Sequence, residues 1–175
     1  MGTYTATDLT ALLSGGDPRS LGRANDVTAQ VLNGSIPVAP LFDCVFVSDE
    51  TVRMRAGDAL EKVCHENPKL LEPFTERLLR DVPRVRQPSV QVHLAQMLAE
   101  LPLTAQQTER AVQLLTYNLH TIDEWVLTDV MIQVLADFTN RGALPKKQLA
   151  TLIAPYAESR HKSVAQRVSK LLATL

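Results

Sequence analysis

Six side chains in this sequence have the chemistry to hold an anion or an aromatic group: Arg53, Arg55, Arg84, Arg86, His93 and Trp125. The densest arginine run is Arg77, Arg80, Arg84 and Arg86, with Arg53 and Arg55 on the helix before it. Arg77 and Arg80 are three apart and share a helix face. Arg84 and Arg86 fall in a turn bracketed by Pro83 and Pro88. A guanidinium offers a planar fork of donors that suits a carboxylate or phosphate. The competing reading is a solvated face partly neutralised by Glu76 and Asp81. Arg55, His93, Asp129 and Arg167 each follow a regularly spaced valine by three residues, which would line them up along one edge of stacked helices. That edge could bind a partner or simply join successive repeats. Trp125 is the only tryptophan and stands beside Asp123 and Glu124 at an expected helix start, where a half-buried structural ring is the simplest role.

Other chemistry has little to work with. The histidines are His65, His93, His120 and His161, and no two are three to five residues apart. Cys64 and His65 are adjacent, so on a helix they point about 100° apart. No metal centre is expected, and no cofactor. There is no phosphate-cradling glycine loop and no nucleophile motif. Gly15-Gly16-Asp17 reads as a linker before a helix. Cys44 and Cys64 are too few for a disulfide framework and read as buried thiols. No acid–base pair is set up by spacing, so the balance leans away from an enzyme.

Charge is distributed more unevenly than the net value of −1 suggests. Residues 1–49 carry −3, 50–86 carry +1, 87–140 carry −5 and 141–175 carry +6. The basic end holds Arg141, Lys146, Lys147, Arg160, Lys162, Arg167 and Lys170 against Glu158. It fits either a solvated cap or contact with an acidic protein or nucleic acid. The near-neutral total argues against a dedicated nucleic-acid binder. No long apolar run and no leader-like start are visible, so no membrane contact and a cytoplasmic location are expected.

The elements that would position these groups are helical. Val52, Ala56, Leu60 and Val63 recur at helical spacing and define one apolar face. Val90, Leu94, Leu98 and Leu101 repeat it, then Val126, Val130 and Val134, then Val164, Val168, Leu172 and Leu175. The leading valines at 52, 90, 126 and 164 are separated by 38, 36 and 38 residues. A step of that size is the length of a two-helix repeat. Further helices are predicted over Pro68–Val82, Thr104–Leu119 and Pro145–Ala157, with Asp49, Thr104 and Asp123 as N-caps. Segment 17–24 reads as a weaker copy, with Arg23-Ala24 matched to Arg55-Ala56. Val45-Phe46-Val47 is β-prone but follows a run that reads more easily as helix, and Asn140-Arg141-Gly142 is a helix stop.

The segment Asp49-x-x-Val52-Arg53-x-x-Ala56-x-x-Ala59-Leu60 resembles the second-helix signature of HEAT repeats, including the short HEAT-like repeats of phycobilin lyases and small bacterial proteins. The resemblance implies an all-α fold of the HEAT or armadillo type: a right-handed α-solenoid of antiparallel helix pairs. One domain would span 1–175, with a weak repeat at about 17–48, repeats at 49–86, 87–122 and 123–160, and a capping helix at 161–175. In the family, Asp and Arg of successive repeats form a polar ladder. Position 53 is followed here by Gln91, Leu127 and Ala165, and position 49 by Gln87, Asp123 and His161, so the ladder is expected to break. The signature marks a fold more than an activity; the extended surface of a solenoid leads us to expect a non-catalytic protein–protein scaffold with another protein as its partner. Nucleic-acid binding through the basic end is the second expectation. A lyase or glycosylase-type enzyme is the third, the latter because some HEAT-like DNA glycosylases use Trp and Asp.

Overall fold

The computed structural model describes residues 4–175, and among them there are helices and turns but no strand. The chain divides into two compact units, the first ending at Pro102 and the second starting at Leu103. The division falls inside the stretch 87–122, between its two helices.

The first unit opens with α1 (Ala6–Leu13), a helix the sequence pattern does not announce. Thr5 caps it through a reciprocal box with Asp8. Residues 14–23 form turns rather than a helix, so the match of Arg23-Ala24 to Arg55-Ala56 is not structural: Ala24 is the first residue of α2 (Ala24–Leu32), whereas Ala56 lies mid-helix. Then come α3 (Val38–Asp43) and a 3₁₀ turn over Cys44–Phe46, where β-propensity yields to the preceding helix. The long helix α4 (Glu50–Glu66) begins as expected, with the Asp49 carboxylate accepting from the N–H groups of Thr51 and Val52. It packs against both α2 and α6 (Pro88–Glu100) and is the centre of this unit's core.

The single helix expected over Pro68–Val82 is broken. Residues Pro68–Leu70 and Glu72–Phe74 form 3₁₀ turns, and only Thr75–Arg80 is α-helix, here α5. Pro73 explains the break. It has no N–H to donate, and its ring disfavours the helical conformation in the residue before it.

In the second unit, α7 (Ala105–Thr121) starts at Thr104 with a capping box to Gln107. The next helix, α8 (Trp125–Asn140), is capped by Glu124, not Asp123: the Glu124 side chain accepts from the Leu127 N–H at 2.7 Å. The apolar register shifts with it. Val126 is 38% exposed, whereas Leu127, Met131, Leu135 and Phe138 are buried. Leu127 therefore takes the place held by Val52, Val90 and Val164. After the stop at Gly142 (φ +79°) comes α9 (Lys146–Ile153). It ends earlier than predicted because Pro155 converts its last turn to 3₁₀. The final helix is α10 (Lys162–Leu172). Within this unit α8 packs against α7, α9 and α10.

Four helices now share one register. The residues preceding α4, α6, α8 and α10 are Asp49, Gln87, Glu124 and His161, so the steps are 38, 37 and 37. Side-chain hydrogen bonds in both units span about one such step. Examples are Lys62 to Asn25, 37 apart, His65 to Glu100, 35 apart, and the Tyr156 hydroxyl to the Leu119 carbonyl, 37 apart.

Candidate functional site

Arg53 and Arg86 meet in the first unit. The α4 N-terminus, the 3₁₀ turn before it and the turn before α6 enclose an open cleft of about 460 Å³, lined by residues that include Phe46, Glu50, Arg53, Arg86 and Gln87. Arg53 is held rather than free. Its Nε donates to Gln87 Oε1 at 2.7 Å, and its Nη1 donates to the carbonyls of Val47 and Ser48 at 2.9 Å each. Gln87 Nε2 in turn donates to the Glu50 carbonyl at 2.9 Å. Gln87 thus joins the turn before α6 to the first turn of α4 through both ends of its amide. Gln87 was readable from the step of 38 after Asp49, but its pairing with Arg53 was not. Arg86 is exposed and makes no ion pair among the described residues, and Arg84 is exposed in the same turn.

The run's other two arginines are spent locally. Arg77 pairs with Asp43 at 3.0 Å and lies over the rings of Phe42 and Phe46, 4.7 and 5.3 Å from their centroids. Arg80 pairs with Asp81 at 2.8 Å, which holds the Asp81 carboxyl below its usual range. The neutralised-face reading fits these two.

Arg55 points elsewhere. It is 1% exposed and faces the turns between α1 and α2. Nε donates to the Ser20 carbonyl at 3.0 Å, Nη1 to the carbonyls of Leu13 and Gly15 at 2.6 and 2.7 Å, and Nη2 to the Asp17 carbonyl at 2.9 Å and Ser20 Oγ at 3.4 Å. All five guanidinium donors are used. Gly22 (φ +50°) makes the enclosure possible, because a Cβ there would come within 2.8 Å of Arg55 Cζ. Arg55 is thus a clamp on the chain's own backbone, not part of a surface edge.

His93, on α6, sits against Gly57 of α4. Burial pushes its pKa down, against the opposing pull of Asp58. The side chain of Gln96, one turn on, faces the ring and opposes the same shift. Nearby on α4, Lys62 ties Asp58 at 2.8 Å to Asn25 of α2 at 2.7 Å. At the far end of the helix His65 Nδ1 lies 2.9 Å from Glu100, an exposed pair whose hydrogen bond raises the histidine pKa. Cys44 and Cys64 are both buried, and burial pushes the Cys64 thiol up to about 12. A thiol so far from ionisation is a packing group at neutral pH.

Trp125 belongs to the second unit. It is 46% exposed and stacks on His161, with centroids 5.4 Å apart and rings 10° from parallel. Arg167 binds Asp129 through two contacts, at 2.8 and 2.7 Å, and also donates to Gln133. The one-residue register shift in α8 means that Val130, not Asp129, is the true counterpart of Arg55, His93 and Arg167. The predicted edge of four polar groups is therefore a buried clamp and a half-buried histidine in one unit, and an inter-helix ion pair in the other.

No helix among the described residues is long and apolar enough to cross a membrane, and no cluster of three or more metal-ligating side chains occurs among them. The class these features define is an all-α protein in which several polar side chains, Lys62, His65 and Arg167 among them, tie one helix to another. No protein family, curated protein or solved structure matches the chain.

Proposed function

We propose that this chain is a non-catalytic protein–protein interaction scaffold, a right-handed HEAT- or armadillo-like solenoid of antiparallel helix pairs. The observation that carries the reading is the period. Helix starts recur at steps of 38, 37 and 37, and side chains bond across about one step, as in Arg53 to Gln87, 34 apart, and Arg167 to Asp129, 38 apart. Repeats that contact their neighbours in register stack into extended surfaces suited to other proteins. Several titratable groups add support, because Lys62, His65 with Glu100, and Arg167 with Asp129 are committed to contacts between helices.

The test is capture of partners by the tagged full chain from nuclease-treated lysate of its native host, then reconstitution with the purified partner and titration. A complex of two proteins that re-forms without nucleic acid is the expected result. Partners that vanish with nuclease, and binding to DNA or RNA that falls steeply with salt, would replace this reading with the nucleic-acid one. The +6 charge of residues 141–175 is the observation favouring that second reading.

A further inference from the structure

We infer that the outward face of α10 is the docking surface, and that its occupant is an acidic amphipathic helix of a partner protein. The inference rests on the scaffold reading and names the site and the partner's chemistry.

Val164 and Val168 are the buried side of α10. Its other side borders a broad groove of about 950 Å³ whose lining includes Ala165, Gln166, Ser169, Lys170, Ala173 and Gln133 of α8. Ala165, Ser169 and Ala173 are four residues apart, so one helix face presents short side chains over two turns. Short side chains let a second helix settle at the lower end of the usual 8–10 Å axial spacing. Leu172, 37% exposed, extends the apolar strip at its end. An amphipathic helix laid into an apolar groove is a common mode of peptide recognition.

Charge selects the occupant. Lys162 and Lys170 stand at the two ends of this face, both exposed and neither in an ion pair among the described residues. Arg167, at the groove's edge, is already matched by Asp129. The surrounding residues 141–175 contain one carboxylate side chain, Glu158, against seven cations. Exposed Lys162, at the start of α10, and Lys170, in the groove lining, are complementary to an acidic partner. A second copy of this chain is a poor source, because its net charge is only −1 and it would bring the same basic segment with it. A single nucleic-acid strand is disfavoured because no aromatic ring lines the groove for bases to stack on.

The experiment places a photo-crosslinking residue at Ser169 of the full chain in native host cells, with a control at exposed Tyr117 of α7. The crosslinked segment is mapped by mass spectrometry. The expected result is an acidic segment with helical apolar spacing, captured from Ser169 and lost about tenfold in the Lys162→Glu, Lys170→Glu double variant. Circular dichroism of that variant, whose changes are both on exposed positions, checks that the fold is intact. Crosslinks from Ser169 to nucleic acid, to another copy of this chain or to a neutral or basic segment would overturn the inference. Partners captured from Tyr117 but not Ser169 would also overturn it while leaving the scaffold reading in place. No protein captured from either position would sink both.

Discussion

Arg55 and Arg167 occupy the same place in the repeat, six residues after the caps Asp49 and His161, yet they do opposite things. In the first unit the preceding segment is a set of turns with glycines at 15, 16 and 22. It offers inward-facing carbonyls and room, so the guanidinium is swallowed and satisfied by backbone. In the second unit the preceding segment is the regular helix α8, whose carbonyls are already bonded. It offers only side chains, so Arg167 stays one-third exposed and pairs with the Asp129 carboxylate. The guanidinium in each unit binds what the segment packed against it presents. A buried cation held by carbonyls is costly to remove, while a half-exposed ion pair contributes little.

That contrast can be broken most directly at Arg55. Replacing Arg55 with Ala strips partners from four buried or part-buried carbonyls and is expected to cost about 3–5 kcal/mol. Urea denaturation of the full chain would show it. A loss under 1 kcal/mol would mean that water replaces the clamp freely. Arg55→Lys should recover little, because one ammonium cannot reach acceptors spread around a planar fork.

Next in size is Gly22→Ala. The added methyl meets the guanidinium and demands a positive φ of an L-residue, so about 1–3 kcal/mol should be lost. In the Arg55→Ala background the steric part disappears, and the two substitutions should be less than additive.

The second unit answers more quietly. A double-mutant cycle on Asp129→Asn and Arg167→Gln should give a coupling of about 0.5–1 kcal/mol that shrinks with added salt. A coupling near 3 kcal/mol would make the two arginines alike and remove the distinction.

The smallest effect concerns pH and sharpens the picture of the first unit. The hydrogen bond and charge of Glu100 raise the His65 pKa above its unfolded value. The stability it contributes is therefore full below pH about 6.5 and is lost as pH rises through the folded value. His65→Gln should differ from wild type in acid and match it in mildly alkaline solution, read as thermal midpoints across that range. His93 works the other way: burial depresses its pKa, so it weakens the fold as pH falls below about 6.5. His93→Gln should flatten that acid-side loss.

Much of the helical framework was legible because it depends on local rules. The α4 face of Val52, Ala56, Leu60 and Val63, the caps at Asp49 and Thr104 and the stop at Gly142 all follow from spacing and capping chemistry within a few residues. The errors were also local, and they were near-ties. Asp123 and Glu124 are both able to cap, and Val126 and Leu127 are both apolar. Only packing chose Glu124 and Leu127, because Leu127 is the one that reaches the core. The candidate site was less legible. Arg53 and Arg86 are 33 positions apart in the chain, and nothing near either announces a shared cleft.

By itself the sequence determined that the chain is helical, that an apolar helix pattern recurs at close to 37 residues, and that positive charge gathers in the last 35. Those properties are sums over neighbours along the chain. The tertiary structure alone decided which polar groups face one another. Arg55 became a buried clamp because the turns before α2 aim carbonyls at it, and Arg167 became half of an ion pair because α8 presents only side chains. A side chain's partner is set by what the segment packed against it presents, and for these two arginines that segment lies 34 to 42 residues away in the chain.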